Sequence, residues 1–280
     1  MTQNPGIAQL PDLQSTYALT PEHVAEFQRD AVTLVRGLAS ADEIAAYRPH
    51  INEAVARFNT ETRKLEERDT YGMAFLQTMN LWVRDEAVKR YSLARRFAKV
   101  AAELMGVSGV RIYHDQALYK EPGGGLTPWH QDQHYWPLST DRTVTMWMPL
   151  VDIAAEVGTL SFAVGSHVTG YLGDLPISDK SQQEFEEFVR RNQWNVKTYG
   201  AMKAGDATFH SGWILHMAPP NPSKTFRREV MTVIYMAEDI QVTHPENENQ
   251  ANDLATWLPG LRAGEVAASP INPVLYSSKP

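Results

Sequence analysis

From Val110 onward, the chain is a series of short segments rich in β-branched and aromatic residues, each bounded by turn residues. Strands of this length and spacing are typical of an antiparallel sandwich or barrel. The predicted strands cover residues 110–120, 143–148, 159–164, 207–210, 213–216 and 229–235, and a further one begins near Trp129. We therefore predict a mainly β protein.

The part of the chain before Val110 is predicted to be mostly helical. Thr20 and Pro21 favour the cap and the first position of a helix, and Ser40 with Glu43 forms a capping box. These signals predict helices from residue 21, over 40–65 and over 85–105, with a short strand at 31–35. We expect one domain, made of a flexible arm (1–19), a helical part (20–106), a β core (110–236) with a helical insertion (170–200), and an irregular C-terminal segment (237–280).

Composition narrows the possible chemistry. The 280 residues include no cysteine, so any metal must be held by His, Asp or Glu rather than by thiolates. The formal net charge of -7 does not favour nucleic-acid binding. There is no signal-peptide pattern and no apolar run of membrane-spanning length, so we expect a cytoplasmic enzyme without a membrane partner. No oligomeric state follows from the sequence.

His130 and Asp132 are the first candidates for a metal site. Residues two apart in a strand point to the same face, so these two side chains would converge on one ion. A His-x-Asp pattern is weak by itself, and a surface hydrogen-bonded pair is the alternative interpretation. The context favours a site, because the pattern follows the glycine break at 123–125 and is flanked by large aromatics. These aromatics are Trp129, Tyr135 and Trp136.

His216 is the best candidate for a third ligand. Two histidines and one carboxylate form the facial triad that holds non-haem Fe(II) and leaves coordination positions open. His210 is a competing ligand six residues earlier, but Ser211-Gly212 should break the strand alternation between them. His134 would share the face of His130 if the strand continued, as an alternative ligand or as a substrate contact.

Arg227 follows His216 across a predicted turn. The Pro/Asn/Ser-rich stretch at 219–223 predicts a hairpin, which would bring Arg227 back beside His216. A guanidinium in that place can bind a carboxylate in bidentate fashion, as a dicarboxylate cosubstrate requires. We expect Arg228 to point to the opposite face, toward solvent. The pattern thus predicts a metal site beside a dicarboxylate pocket.

An ordered set of motifs resembles the phytanoyl-CoA dioxygenase family of Fe(II)- and 2-oxoglutarate-dependent oxygenases. The resemblance covers roughly residues 20–236 and keeps the order of the family's motifs. The motifs are Trp129-His-Gln-Asp-Gln-His-Tyr-Trp-Pro137, Trp147-Met-Pro-Leu150, Glu156-Val-Gly-Thr-Leu160, Gly165-Ser-His167, Gly205-Asp206, and His216 through Asn221 to Arg227. The resemblance implies a double-stranded β-helix (jelly roll, cupin-like) core.

The resemblance also implies roles for individual residues. His130, Asp132 and His216 would bind Fe(II), and Arg227 would bind the distal carboxylate of 2-oxoglutarate. Trp147 and Gln116 match cosubstrate-lining positions, although core packing is an equal alternative for Trp147. The expected substrate contacts are His134, Tyr135 and Trp136.

The expected reaction is hydroxylation of an unactivated C–H bond in a small molecule, with O2 consumed and succinate and CO2 released. Asp132 favours hydroxylation, because related halogenases replace the carboxylate ligand with a small residue. Desaturation, epoxidation and ring closure stay open as alternatives. A different class is a cupin-like metal protein without 2-oxoglutarate turnover, acting as an isomerase, hydrolase or sensor, which would not need Arg227.

Overall fold

The core of the protein is a pair of antiparallel β-sheets. The computed structural model describes residues 9–279. The strands are β1 (Val32–Val35), β2 (Leu76–Met79), β3 (Gly109–Tyr119), β4 (Thr127–His130), β5 (Thr143–Pro149), β6 (Ser161–Val164), β7 (Asn195–Thr198), β8 (Ala207–Ser211), β9 (His216–Ala218), β10 (Val230–Ala237) and β11 (Val274–Ser277). The larger sheet has the strand order β1-β8-β5-β10-β3-β11, with β2 also paired to β3, and the smaller has the order β4-β9-β6-β7. This architecture confirms the predicted jelly-roll core.

Helices cover the outside of the larger sheet. A hydrophobic core of helix and strand residues, including Tyr47, Phe97 and Val233, lies between the two layers. The α-helices are α1 (Pro21–Asp30), α2 (Ala41–Phe58), α3 (Thr70–Ala74), α4 (Glu86–Ser92), α5 (Arg95–Met105), α6 (Asp179–Arg191) and α7 (Glu248–Trp257). None of the helices within residues 9–279 combines the length and the apolar character that crossing a bilayer requires.

Two of the predicted helices differ from the observed ones, the first at its end and the second in its middle. Helix α2 stops at Phe58 rather than near residue 65, because the Asn59 side chain accepts a hydrogen bond from the Glu61 amide at 3.0 Å. Such local side-chain bonds compete with helical ones. The predicted helix over 85–105 is two helices, since Ala94 is extended between α4 and α5. The break lets Tyr91 and Phe97 meet edge to face, with ring centroids 5.5 Å apart.

The chain before α1 packs against the body where the structure describes it. Residues 1–8 of the predicted arm lie outside the described residues. Leu10 and Leu13 are buried in the main core, and the Tyr47 hydroxyl donates a hydrogen bond to the Pro11 carbonyl at 2.7 Å. The predicted flexible arm is therefore wrong for residues 10–13, whose apolar side chains are removed from water.

The C-terminal segment also contains more regular structure than predicted. Helix α7 begins after Asn247, whose side chain accepts a hydrogen bond from the Gln250 amide at 2.9 Å. Strand β11 extends the larger sheet at β3. The expectation of an irregular segment over 237–280 is therefore wrong for 248–257 and 274–277, and α7 matters for the site described below.

Leu13→Ala tests the packing of the N-terminal segment. Leu13 is 1% exposed, so truncation should lower the free energy of unfolding by about 2–4 kcal/mol through lost burial and a residual cavity. Urea unfolding measures the change. Val168→Ala is the control, because Val168 is 81% exposed and its truncation should change stability by less than about 0.5 kcal/mol. Equal midpoints for Leu13→Ala and the wild type would contradict the packing.

Candidate metal centre

The pairing of β4 with β9 brings two histidines together. His130 and His216 are direct partners in the register of this antiparallel pair, and both are buried. Their ring centroids lie 4.1 Å apart. Two side chains far apart in the sequence thus meet on one face of the smaller sheet.

Asp132 joins them by a turn rather than by strand alternation. Strand β4 ends at His130, and a 3-10 helix covers Asp132–Tyr135. The Gln133 amide donates a hydrogen bond to the Gly212 carbonyl at 2.9 Å, which ties this turn to the loop before β9. The expected strand face over 130–134 is therefore wrong, although its first two candidate ligands still converge.

The geometry of the trio fits one metal ion. The Nε2 atoms of His130 and His216 each lie 3.6 Å from Oδ1 of Asp132. That separation is too long for a hydrogen bond but suits atoms that share an ion about 2.1 Å from each. The three ligand atoms all lie within 4.8 Å of one another.

Neighbouring groups fix the direction of each ligand atom. The Nδ1 atoms of His130 and His216 contact the carbonyls of Pro128 and Ile214 at 2.7 and 3.1 Å. Those contacts set the tautomer in which Nε2 carries the lone pair. The Thr145 hydroxyl donates to Oδ2 of Asp132 at 2.8 Å, which leaves Oδ1 directed toward the histidines.

The protonation states also suit metal binding. Burial lowers the pKa of His130 to about 3 and that of His216 to about 4, so both rings are neutral near pH 7. Burial by itself raises the pKa of Asp132, but its electrostatic interactions with His216 and His210 lower it below its ordinary value. An ionised carboxylate beside two neutral imidazoles is the protonation state in which these groups bind a metal.

His210 lies close to the trio but on its other side. Its Nε2 atom is 3.4 Å from Oδ2 of Asp132, the oxygen that Thr145 already bonds. The ring is 1% exposed, and neither ring nitrogen has a hydrogen-bond partner among the described residues. This arrangement favours His216 over His210 as the distal ligand.

A cavity of about 320 Å³ opens beside the trio. Of the residues predicted to contact cosubstrate or substrate, Trp147, Gln116, Tyr135 and Trp136 line it. His134 does not: it is 2% exposed, its ring packs edge to face against Tyr135, and its Nε2 atom is 3.5 Å from Asp174. The expectation of a substrate contact for His134 is therefore not met, because the 3-10 turn directs its ring away from the cavity.

The structure exchanges the expected positions of the two arginines. Arg227 has a side chain that is 46% exposed, and it pairs with Glu229 at 2.7 Å outside the cavity. Arg228 is 1% exposed and lines the cavity. The reason is the strand register. Arg228 forms an antiparallel bridge with Lys120, which fixes the direction of its side chain. Arg228 therefore shares a face with Thr232, four residues later, and both side chains line the cavity. The prediction that Arg227 faces the site and Arg228 faces solvent is wrong.

Arg228 is a buried cation without an anionic partner in the described chain. One of its terminal nitrogens donates to the Gly158 carbonyl at 2.6 Å, and its guanidinium lies 5.3 Å from the centre of the Trp147 ring. Its Nε atom is buried and has no hydrogen-bond partner. Burial lowers the pKa of Arg228 to about 9. A buried guanidinium of this kind is energetically costly unless an anion joins it.

Several lining residues were absent from the sequence-based predictions. Helix α7 supplies Asp253 and Trp257 to the wall, and α3 supplies Tyr71. The Tyr71 hydroxyl donates to Gln77, whose amide donates to Gln116, both at 2.7 Å. The aromatic residues within 70–75 could have indicated this part of the cavity wall from the sequence, whereas 248–257 contains no motif that would have done so. The lining also includes Phe75, Gln77, Met79, His114, Leu118, Thr127, Thr145, Leu160, Ile177, His210, Ala218, Asn252 and Thr256.

The geometry agrees with a family assignment made by comparison. Residues 27–229 match the phytanoyl-CoA dioxygenase (PhyH) family. The chain belongs to this family. That assignment confirms the resemblance predicted from the ordered motifs, and the matched range contains the metal trio and both arginines.

The individual proteins to which the chain is similar have low sequence identity to it. A probable alpha-ketoglutarate-dependent hypophosphite dioxygenase of Stutzerimonas stutzeri is 27% identical over 187 residues, or 65% of this chain and 60% of that protein. The chain thus spans less than two thirds of that relative's length. The carbocyclase SnoK from nogalamycin biosynthesis has a TM-score of 0.75 at 22% identity, over 91% of this chain and 96% of that one. The epimerase SnoN, solved with Fe3+, alpha ketoglutarate and nogalamycin RO, has a TM-score of 0.71 at 23% identity, over 91% and 97%.

Replacing the two competing histidines distinguishes their roles. His216→Ala should weaken Fe(II) binding by more than the roughly 100-fold that loss of an outer-shell partner typically costs, whereas His210→Ala should stay within that range. Anaerobic Fe(II) titration of each variant measures the affinities. A larger loss in His210→Ala than in His216→Ala would reverse the assignment of the distal ligand.

Proposed function

We propose that the protein is an Fe(II)- and 2-oxoglutarate-dependent dioxygenase that hydroxylates a C–H bond of a small molecule and releases succinate and CO2. The observation that carries this proposal is the presence of the metal trio and an unpaired buried guanidinium, Arg228, in the wall of one cavity. A cupin-like metal protein without an acidic cosubstrate would not need a cation in that position.

His130, Asp132 and His216 would hold the iron, with their orientation set by Pro128, Ile214 and Thr145. Fe(II) on two histidines and one carboxylate keeps coordination positions open for an organic acid and for O2. The retained carboxylate of Asp132 favours hydroxylation over halogenation. The protein contributes the ligand geometry and a largely apolar cavity around the reacting atoms.

Arg228 is the residue that we propose for the distal carboxylate of 2-oxoglutarate, in place of Arg227. Its guanidinium is buried and lies over the face of the Trp147 ring. Bidentate binding of a carboxylate would satisfy the free Nε atom and supply the missing negative charge. Arg227 already has a carboxylate partner in Glu229.

Lys120 is the neighbour of Arg228 in the sheet, although it does not itself line the cavity. It is fully buried, bridges Arg228 in the sheet, and donates hydrogen bonds to the Gly125 carbonyl and to Thr127, at 3.1 Å for the latter. Burial, with a further contribution from the charge of Arg228, lowers the pKa of Lys120 to about 6. Lys120 is therefore largely uncharged near pH 7, and Arg228 supplies the positive charge that a carboxylate would meet.

Turnover of 2-oxoglutarate tests the proposal directly. Purified protein with Fe(II), O2 and 2-oxoglutarate should release succinate, and a small-molecule library should contain compounds that accelerate the release. Asp132→Ala should abolish it, because one of three metal ligands is lost. Asp152→Ala, at an exposed ion pair with Lys203, is the control and should retain full activity. Metal binding without any succinate would favour the alternative of a cupin-like isomerase, hydrolase or sensor.

The two adjacent arginines provide a matched pair for the cosubstrate site. Arg228→Met should raise the Kd for 2-oxoglutarate by about 30-fold or more, because a buried charge pair is lost. Arg227→Met should change it by no more than about threefold, as expected for an exposed ion pair. The absorbance of the anaerobic Fe(II) complex with 2-oxoglutarate reports the binding.

Arg228→Lys is a second variant that distinguishes lost carboxylate binding from a folding defect. It retains the charge but not the bidentate geometry, so its Kd should fall between those of the wild type and Arg228→Met. Circular dichroism checks that each variant is folded. A greater effect of Arg227→Met than of Arg228→Met would show that Arg227 is the anchor after all.

A further inference from the structure

The cavity wall carries a basic and an acidic side chain on different elements of the fold. Arg228, which lies over the Trp147 ring, is the basic one. Apart from the metal ligand Asp132, the acidic residue that lines the cavity is Asp253 on α7. The cosubstrate end is thus basic, while the wall formed by α7 carries a carboxyl group that the proposed iron and 2-oxoglutarate chemistry does not use.

The polar side chains next to Asp253 are neutral. The Tyr113 hydroxyl donates a hydrogen bond to its Oδ2 atom at 2.9 Å. Burial raises the pKa of Asp253 to about 7, and the polar groups of Tyr113 and Trp257 only partly oppose the rise. Neither partner offers a positive charge, so the carboxylate has unused capacity to bind a cation.

Aromatic side chains line much of the same cavity. They are Tyr71, Phe75, Tyr135, Trp136 and Trp257. Burial is the main reason that the pKa values of Tyr71 and Tyr135 are raised, and the negative charges of Asp132 and Asp253 raise both values further. Both tyrosines therefore lie within electrostatic range of the metal ligand and of the α7 carboxyl group.

From these contacts we propose that Asp253 and the surrounding aromatic rings bind an ammonium group of the substrate, so that the enzyme acts on an amine. Ring faces attract cations, most strongly in desolvated sites, and a carboxylate adds a charge-assisted hydrogen bond. The inference rests on the proposed function for the reaction itself. It adds the substrate class and gives Asp253 the role of a specificity-determining residue.

A purely structural role for Asp253 makes a different prediction. The Tyr113–Asp253 hydrogen bond also connects α7 to β3, so the carboxyl group could serve only to dock the helix. Asp253→Asn separates the two roles, because the amide oxygen can still accept from Tyr113 while the negative charge is removed. Loss of α7 docking would lower stability, whereas loss of cation binding would change ligand preference.

The test uses matched amines and alcohols on the folded enzyme. Wild type, Asp253→Asn and the control Asp239→Asn are each loaded anaerobically with Fe(II) and 2-oxoglutarate. Asp239 is an exposed partner of Arg142 and faces no part of the cavity lining. The probes are 2-phenylethylamine, cyclohexylamine and hexylamine, the corresponding alcohols, and 3-phenylpropanoate. Quenching of tryptophan fluorescence gives each Kd, because Trp136 and Trp257 line the cavity.

We expect at least one amine to bind about tenfold or more tightly than its alcohol in the wild type and in Asp239→Asn. Asp253→Asn should lose that preference while its unfolding midpoint stays near that of the wild type. Equal binding of every amine and alcohol, tightest binding of 3-phenylpropanoate, or an unchanged preference in Asp253→Asn would overturn the inference. Absence of the Fe(II)–2-oxoglutarate absorbance in the wild type would instead overturn the proposed function.

Discussion

The antiparallel pairing of β4 with β9 is the constraint on which the site depends. It sets His130 opposite His216, and the short 3-10 turn that follows β4 brings Asp132 to both rings. Carbonyls two residues before each histidine fix the ring orientation, so strand β4 and the segment just before β9 supply the support for the ligands. A one-residue slip of this pair would turn one imidazole away from the other.

Sequence reasoning found the ligands for a reason that was only partly correct. Residue type and spacing identified His130, Asp132 and His216, since few side chains can bind iron and the ordered motifs limit the choice. The proposed strand alternation did not occur, because Gln133 bonds the loop before β9 and bends the chain. Chemistry therefore predicted which residues meet, while long-range hydrogen bonds determined how they meet.

The arginines show where such reasoning fails. Arg227 and Arg228 are adjacent, so the inward one depends entirely on hairpin register, and the irregular turn at 219–223 hides that register from the sequence. The bridge between Arg228 and Lys120 settles it in the structure. Helix α7 was missed for another reason: its packing against the cavity is a tertiary contact, and its sequence has only a weak apolar face.

Arg228 and Asp253 place ionisable groups of opposite sign in the wall of one cavity. Burying the charge of Arg228 without an acid costs free energy, which packing elsewhere in the fold offsets and which an acidic cosubstrate would recover. Asp253 poses the converse problem, since neutral donors stabilise its carboxylate without cancelling its charge. A cosubstrate anion and a substrate cation would relieve both costs at once. Binding of either ligand would then reduce an electrostatic penalty that the empty protein carries, which is a physical reason for the cavity to favour an acid at one end and an amine at the other.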